Sequence, residues 1–251
     1  MATDLLALGG KRALITGASK GIGRGLAAAF AEQGADVVAV ARDEAGLAAV
    51  RGEVEAFGRA CQTVVADLSS MADVRRVATE VAGEVHILVN NAGVSFPQDA
   101  MSTSLENWEK TFAVNVRAAF FLAQAFGQGM LERGWGRVVN ISSQSGLVAL
   151  EDHVAYCASK GAMEMMSKTL ALEWAPRGVT VNCVAPTVIA TPMAETAFPT
   201  PEAKAKMLRR IPAGRFGEVR EVAAAALFLA SEAAGMTTGE TLKVDGGWTA
   251  Q

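Results

Sequence analysis

The chain has 251 residues, 51% hydrophobic and 20% charged, with 25 glycines and a net charge of −3. That length holds one or two domains, and charges of both signs spread without blocks argue against a nucleic-acid arm or a membrane-surface patch. Cys61, Cys157 and Cys183 lie far apart with no Cys-x-x-Cys, and His86 and His153 are the only histidines, which argues against disulfides and against a metal site.

No apolar run reaches the length of a membrane span, and the N-terminal stretch Met1–Gly10 does not read as a secretory leader. A cytoplasmic globular protein is expected, with no membrane or nucleic-acid partner. Strands are predicted at Arg12–Thr16, Asp36–Ala41, Gln62–Ala66, His86–Asn90, Gly136–Ile141, Thr180–Val184 and Thr241–Val244. Helices are predicted near Ile22–Gln33, Glu44–Phe57, Ala72–Val81, Leu105–Leu131, Tyr156–Trp174, Ala203–Leu208 and Val219–Ser231. Such alternation, with strands too apolar for one-sided exposure, predicts an α/β fold: a doubly wound parallel sheet with helices on both faces, in one domain over residues 1–251. The long Pro-bearing stretch after the sixth strand, about residues 186–215, suggests a loop or lid over a site.

The first strand runs into Thr16-Gly17-Ala18-Ser19-Lys20-Gly21-Ile22-Gly23. Strand, glycine turn and helix start come in the order that a phosphate-binding turn requires. Gly17 permits the turn, Gly21 lets backbone approach a pyrophosphate, and Gly23 permits close helix packing. The spacing is Gly-x-x-x-Gly-x-Gly, and an ordinary glycine-rich turn would look similar. The second strand ends in Ala41-Arg42, where an NAD site wants a carboxylate and a 2′-phosphate wants a cation. Arg42, with Lys20 in the turn, points to NADPH/NADP+. Asp43 and Glu44 read as the cap and first turn of the next helix.

Asp67-Leu68 follows the third strand, where an Asp can meet an adenine amine or cap the next helix. Asn90-Asn91-Ala92-Gly93 follows the fourth; its amides can cross-link neighbouring backbone and line a cofactor crevice, or form a bare loop. Asn115 sits in an apolar helical pattern, an awkward place for an amide, and reads either as a kink or core hydrogen bond or as the holder of a water. The fifth strand ends in Ser142-Ser143-Gln144-Ser145, and nothing local selects one hydroxyl. Tyr156 and Lys160 are four residues apart and share a helix face. An ammonium about 5 Å from a phenol would favour the phenolate by roughly 3 kcal/mol at an effective dielectric of ~20, and desolvation would oppose that. Alone, Tyr-x-x-x-Lys is as compatible with a solvated surface.

Taken together, Thr16-Gly-x-x-x-Gly-x-Gly23, Asn90-Asn-Ala-Gly93, Asn115, the serine strand, Tyr156-x-x-x-Lys160 and Val244-Asp-Gly-Gly247 resemble the short-chain dehydrogenase/reductase family over nearly the whole chain. The resemblance implies a Rossmann-type sheet of about seven strands and a nicotinamide-dependent oxidoreductase. It selects Ser143, thirteen residues before the tyrosine. Carried over, Ser143 and Tyr156 would bind the substrate oxygen, with Tyr156 as acid/base. Lys160 would hold the nicotinamide ribose and lower the phenol pKa, and Asn115 would anchor a relay water. The implied cofactor site is Gly17, Ser19, Lys20, Gly21, Ile22, Gly23, Arg42, Asp67, Leu68, Asn90, Ala92, Gly93, Tyr156, Lys160, Pro186, Val188, Ile189 and Thr191.

One departure is Thr187, where the family usually has glycine after the proline. With Asn182…Pro186-Thr187-Val188, Lys206-Met-Leu-x-Arg-Ile-Pro212, Met236-Thr-Thr-Gly239 and His153-x-x-Tyr156-Cys157, it makes the chain similar to dicarbonyl/L-xylulose reductases. That resemblance implies an NADPH-dependent reductase of keto sugars and small α-dicarbonyls, with Ser143, Gln144, His153 and Tyr156 lining the substrate pocket. Rivals are a 3-oxoacyl-carrier reductase, a sugar-alcohol dehydrogenase and a nucleotide-binding redox-sensing regulator. The family resemblance further implies a homotetramer.

Overall fold

The alternation of apolar side chains along each strand dictates the layers. In the computed structural model, which describes residues 5–81 and 83–250, Ala13 and Ile15 of β1 (Arg12–Thr16) pack to one side of the sheet and Leu14 to the other, all fully buried. Strands buried on both faces need a helix layer on each. Residues 1–4, part of the stretch read as lacking a leader, lie outside the described residues.

The other strands are β2 (Asp36–Ala41), β3 (Cys61–Val65), β4 (Ile87–Asn90), β5 (Gly136–Ile141), β6 (Val179–Pro186) and β7 (Thr241–Val244). Among the described residues these seven form one parallel sheet in the order β3-β2-β1-β4-β5-β6-β7. The Rossmann-type expectation therefore holds, with strand limits moved by a residue or two at several ends.

The helices in chain order are α1 (Gly21–Glu32), α2 (Glu44–Ala56), α3 (Met71–Glu80), α4 (Leu105–Phe112), α5 (Ala119–Arg133), α6 (Val154–Trp174), α7 (Pro192–Ala197), α8 (Pro201–Leu208) and α9 (Val219–Ala230). One core holds side chains of α1, α2 and α9 against the sheet, and the other those of α3, α5 and α6. Side-chain caps start several helices: Asp43 on α2, Ser70 on α3, Ser104 on α4 and Thr200 on α8. Helix α1 differs, because Lys20 stands at its N-cap with no side-chain hydrogen bond.

Two expectations change. The helix predicted over Leu105–Leu131 is interrupted by a π-helical turn at Ala113–Ala118, centred on Asn115. The 186–215 stretch is not a plain loop: besides α8, expected as a helix near Ala203–Leu208, it carries the short helix α7. Its two ends are tied together, since Ala190 N–H donates to Gly217 O (2.8 Å) and Gly217 N–H to Val188 O (2.9 Å).

Phe30 on α1 is fully buried beneath the glycine turn's helix. Phe30→Ala should lower unfolding stability by about 3–5 kcal/mol in urea titration; a loss under about 1 kcal/mol would mean that this core does not hold α1 in place.

Candidate active site

Strand order reverses between β1 and β4, so their connections leave in opposite directions and open a crevice at the carboxyl ends. Thr16, the last residue of β1, bridges it. Its Oγ1 accepts from Asn91 N–H and Ala92 N–H, each at 3.0 Å, while Asn91 Nδ2 donates to Thr16 O (2.9 Å) and Gly17 O (3.3 Å). The glycine turn is thereby fastened to the strand that follows the reversal. A Cβ on Gly23 would lie 2.2 Å from Gly17 O, so only glycine lets α1 start this close to β1. Gly17 and Gly21 sit at φ +66 and +55. A tight glycine cradle, together with an uncapped helix N-terminus, fits the pyrophosphate of a dinucleotide. The far wall is Thr191, whose methyl is 3.6 Å from where a Gly21 Cβ would be.

Ser19 packs against the start of α2, where a Cβ on Gly46 would come 2.8 Å from its own Cβ. Lys20 and Arg42 are both exposed at this end of the crevice. Asp67 does not cap α3, a place taken by Ser70; its Oδ1 instead accepts from Ser69 N–H and Oγ–H, both 2.9 Å. The Ser69 N–H is the main cause holding the Asp67 carboxyl below its usual range, with the Arg42 and Lys110 charges pulling the same way. Leu68 is a core side chain, as is Ile189. Of the Asn90–Asn91 pair, only Asn91 turns its amide toward the glycine turn. Asn90 Nδ2 donates inside the sheet, to Asn140 Oδ1 (2.8 Å) and Ala119 O (3.3 Å).

Asn115 is fully buried and joins three segments. Its Oδ1 accepts from Val94 N–H (2.8 Å), and its Nδ2 donates to Val94 O (3.0 Å) and Ser159 Oγ (3.0 Å). The π turn rotates this amide toward the loop after β4. Gly93 completes the junction: a Cβ there would lie 3.5 Å from Asn115 Oδ1 and 3.6 Å from Lys160 Nζ.

The serines sort by partner. Ser142 Oγ–H donates to Glu164 Oε1 (2.7 Å), whereas Ser143 lies within hydrogen-bonding reach of the Tyr156 phenol and donates to Gln144 Oε1 (2.9 Å). Ser143, Gln144, Tyr156 and Lys160 therefore converge at the carboxyl end of β5. Lys160 is buried, and its Nζ donates to Ile141 O (2.7 Å) and sits 5.6 Å from the Tyr156 ring centroid. Burial pulls its pKa down to about 8. Burial also pushes the phenol above its ordinary value, with the Ser143 hydrogen bond opposing. Desolvation thus outweighs the Ser143 hydrogen bond at the phenol.

His153 lies one turn before the tyrosine, rings 6.3 Å apart and edge-on. Its Nδ1–H donates to Glu151 O (2.6 Å), which assigns the tautomer and leaves Nε2 as the acceptor. A cavity of about 330 Å³ adjoins it, lined by residues that include Leu150, Asp152 and Cys157. The cross-linking of neighbouring backbone expected of the Asn90–Asn91 amides is done at the glycine turn by Asn91, whereas Thr16 and Ser159 were absent from the predicted site; a hydroxyl directly beside Gly17 was the available signal for Thr16. Among the described residues no group of three potential metal ligands gathers, and no helix is long and apolar enough to cross a membrane.

The family model described as enoyl-(acyl carrier protein) reductase matches residues 17–249. The chain is 44% identical over 245 residues to a D-threitol dehydrogenase of Mycolicibacterium smegmatis, covering 96% of this chain and 94% of that one. It is 43% identical over 249 residues to the L-xylulose reductase of Mus musculus, covering 98% and 99%. A crystal structure from Beutenbergia cavernae, described as a putative NAD(P)-dependent gluconate 5-dehydrogenase with bound NADP, superposes with a TM-score of 0.95 at 39% identity, covering 98% and 100%.

Because Tyr156 is the sole tyrosine, absorbance titration of the phenol reads one group. In protein without added nucleotide the midpoint should lie above 10; a midpoint below 10 would mean that the ammonium, not burial, dominates. Asn115→Ala should cost about 2–4 kcal/mol in urea unfolding, because it strips partners from both Val94 groups.

Proposed function

The chain belongs to the short-chain dehydrogenase/reductase family, and from that premise we propose that it is an NADPH-dependent carbonyl reductase acting on keto sugars and small α-dicarbonyls. The observation that carries the reading is the convergence of Ser143, Tyr156 and Lys160 beside a glycine cradle built for a dinucleotide. The bound nicotinamide supplies a hydride, and the protein supplies a proton and the geometry.

Ser143 and Tyr156 hold the substrate carbonyl oxygen, and the phenol donates its proton to that oxygen as the carbonyl becomes an alcohol. A phenol pushed up by burial is protonated at neutral pH, the form that reduction needs. Lys160 holds the ribose hydroxyls and supplies positive charge when the phenolate forms. Asn115, bonded to Val94 and Ser159, fixes the junction at which a relay water would sit. Gln144 and His153 line the substrate side, His153 offering Nε2 as an acceptor for a substrate hydroxyl. Polyhydroxylated substrates suit such a rim of polar groups.

On the cofactor side, Gly17, Ser19, Gly21, Ile22 and Gly23 cradle the pyrophosphate, while Lys20 and Arg42 clamp the 2′-phosphate. Asp67 and Leu68 would border the adenine, and Asn90, Ala92 and Gly93 would line the crevice that leads from there to Lys160. Pro186, Val188, Ile189 and Thr191 border the nicotinamide. A cytoplasmic homotetramer is the expected state, with three unpaired thiols suiting a reducing compartment. The second reading, a polyol dehydrogenase working in the oxidative direction, is favoured by the likeness to D-threitol dehydrogenase.

Tyr156→Phe should abolish reduction with NADPH affinity nearly unchanged; retention of most turnover would sink the mechanism. Arg42→Ala should raise the NADPH KM at least about tenfold and leave the NADH KM nearly unchanged, and an equal effect on both would argue against a 2′-phosphate clamp. Reduction should weaken as pH rises through the Lys160 value of about 8, because the neutral amine no longer supplies charge; a flat profile to pH 10 would contradict that role. An NADPH-oxidation panel of diacetyl, ketopentoses, acetophenones and acetoacetyl thioesters separates the substrate classes, and preference for the thioester would favour the acyl-carrier rival.

A further inference from the structure

Ser143 leaves the carboxyl end of β5 and enters a single 3₁₀ turn at Gln144–Gly146. Within this loop its own neighbours hold it: Gly146 N–H donates to Ser143 O (2.9 Å) and Ser145 N–H to Ser143 Oγ (3.1 Å). Those bonds fix the shape of the loop but not its place relative to Tyr156, which stands on α6. Two hydroxyls that share one substrate oxygen need a mutual placement good to about 0.5 Å.

Ser142 ties the loop to that helix. Its N–H donates to Val184 O on β6 (2.7 Å), while its Oγ–H reaches α6 and donates to Glu164 Oε1 (2.7 Å). Glu164 stands about two helical turns beyond Tyr156. The two residues are only 4% and 7% exposed, so water competes little for the bond. A carboxyl oxygen accepts here whether the group is ionised or protonated, so the tie depends on no charge. The same oxygen meets the far end of the loop: a Cβ on Gly146 would come 2.6 Å from Glu164 Oε1 and 3.0 Å from Lys160 C. Lys160 Nζ adds a bond to Ile141 O (2.7 Å) at the strand end. Helix α6 thus grips the loop on both sides of Ser143. An aliphatic side chain in place of Glu164 would leave the Ser142 hydroxyl buried without a partner.

We propose that Ser142 and Glu164 are positioning residues, a hydrogen-bonded clip between the β5 loop and the tyrosine helix that sets the Ser143 hydroxyl beside Tyr156. The proposal rests on the catalytic reading of Ser143 given above and adds the two residues that place it.

The test is steady-state reduction of the best carbonyl from the NADPH-oxidation panel. Ser142→Ala removes the donor and should lower kcat about tenfold, with NADPH affinity by fluorescence titration kept within about twofold. Glu164→Met, which removes the acceptor while filling the space, should do the same. Glu164→Gln keeps an acceptor and should stay within about threefold of wild type. In a Ser143→Ala background no hydroxyl remains to be misplaced, so adding Ser142→Ala should cost less than about twofold. A merely structural bond would instead cost about tenfold with or without Ser143, and that result overturns the proposal. So does an unchanged kcat in Ser142→Ala beside an impaired Ser143→Ala, an outcome that leaves the reading of Ser143 standing. Most of the turnover surviving in Ser143→Ala overturns that reading, and the clip with it. If Ser142→Ala does not fold, Glu164→Met is compared with Glu164→Gln, and equal rates in the two overturn the proposal.

Discussion

The reversal of strand order between β1 and β4 is the constraint on which everything else rests. Two parallel strands side by side whose following connections diverge must leave a crevice at their carboxyl ends. Left alone, that crevice would expose the last backbone groups of both strands. Thr16 and Asn91 close the account by bonding each other's main chain, so the glycine turn is held rigidly where helix α1 begins without a side-chain cap. The uncapped helix end leaves free N–H groups that an anion can meet.

A second junction ties this crevice to the chemistry. Asn115 binds Val94 on the loop after β4 and Ser159 on α6, and Ser159 Oγ–H in turn donates to Tyr156 O at 2.8 Å. Displacement of the nucleotide half would therefore be felt at the tyrosine helix through two hydrogen bonds. The π turn is what lets an amide reach both partners from inside an apolar helix, because the wider turn rotates one side chain out of the α-helical register. Proteins tolerate such a turn at functional sites, and here its geometric use is visible.

Much of this was legible in the residues. Strands buried on both faces read as apolar runs, which made the doubly wound sheet evident, and the glycine spacing with Lys20 and Arg42 located the crevice. The family resemblance selected Ser143, and the structure supplies a physical reason: Ser142 is engaged with Glu164, leaving Ser143 to face the phenol. What could not be read depended on long-range partners. Nothing in Asn90-Asn91 says which amide faces the turn, since its partners Thr16 and Asn140 lie far away in the chain. The sign of the balance at Tyr156 was equally hidden, since it sets a Coulomb gain known from spacing against a desolvation cost known only from burial.

On the proposed reading, one cleft would bring a substrate carbonyl to the nicotinamide and to Tyr156 together. The most direct measurement is a single-turnover reduction of a ketopentose with NADPH doubly deuterated at nicotinamide C4, followed by mass spectrometry of the product. One deuterium should appear at the new carbinol carbon, with the hydroxyl proton drawn from solvent. A product free of deuterium, or carbonyl loss without NADPH oxidation, would contradict the account.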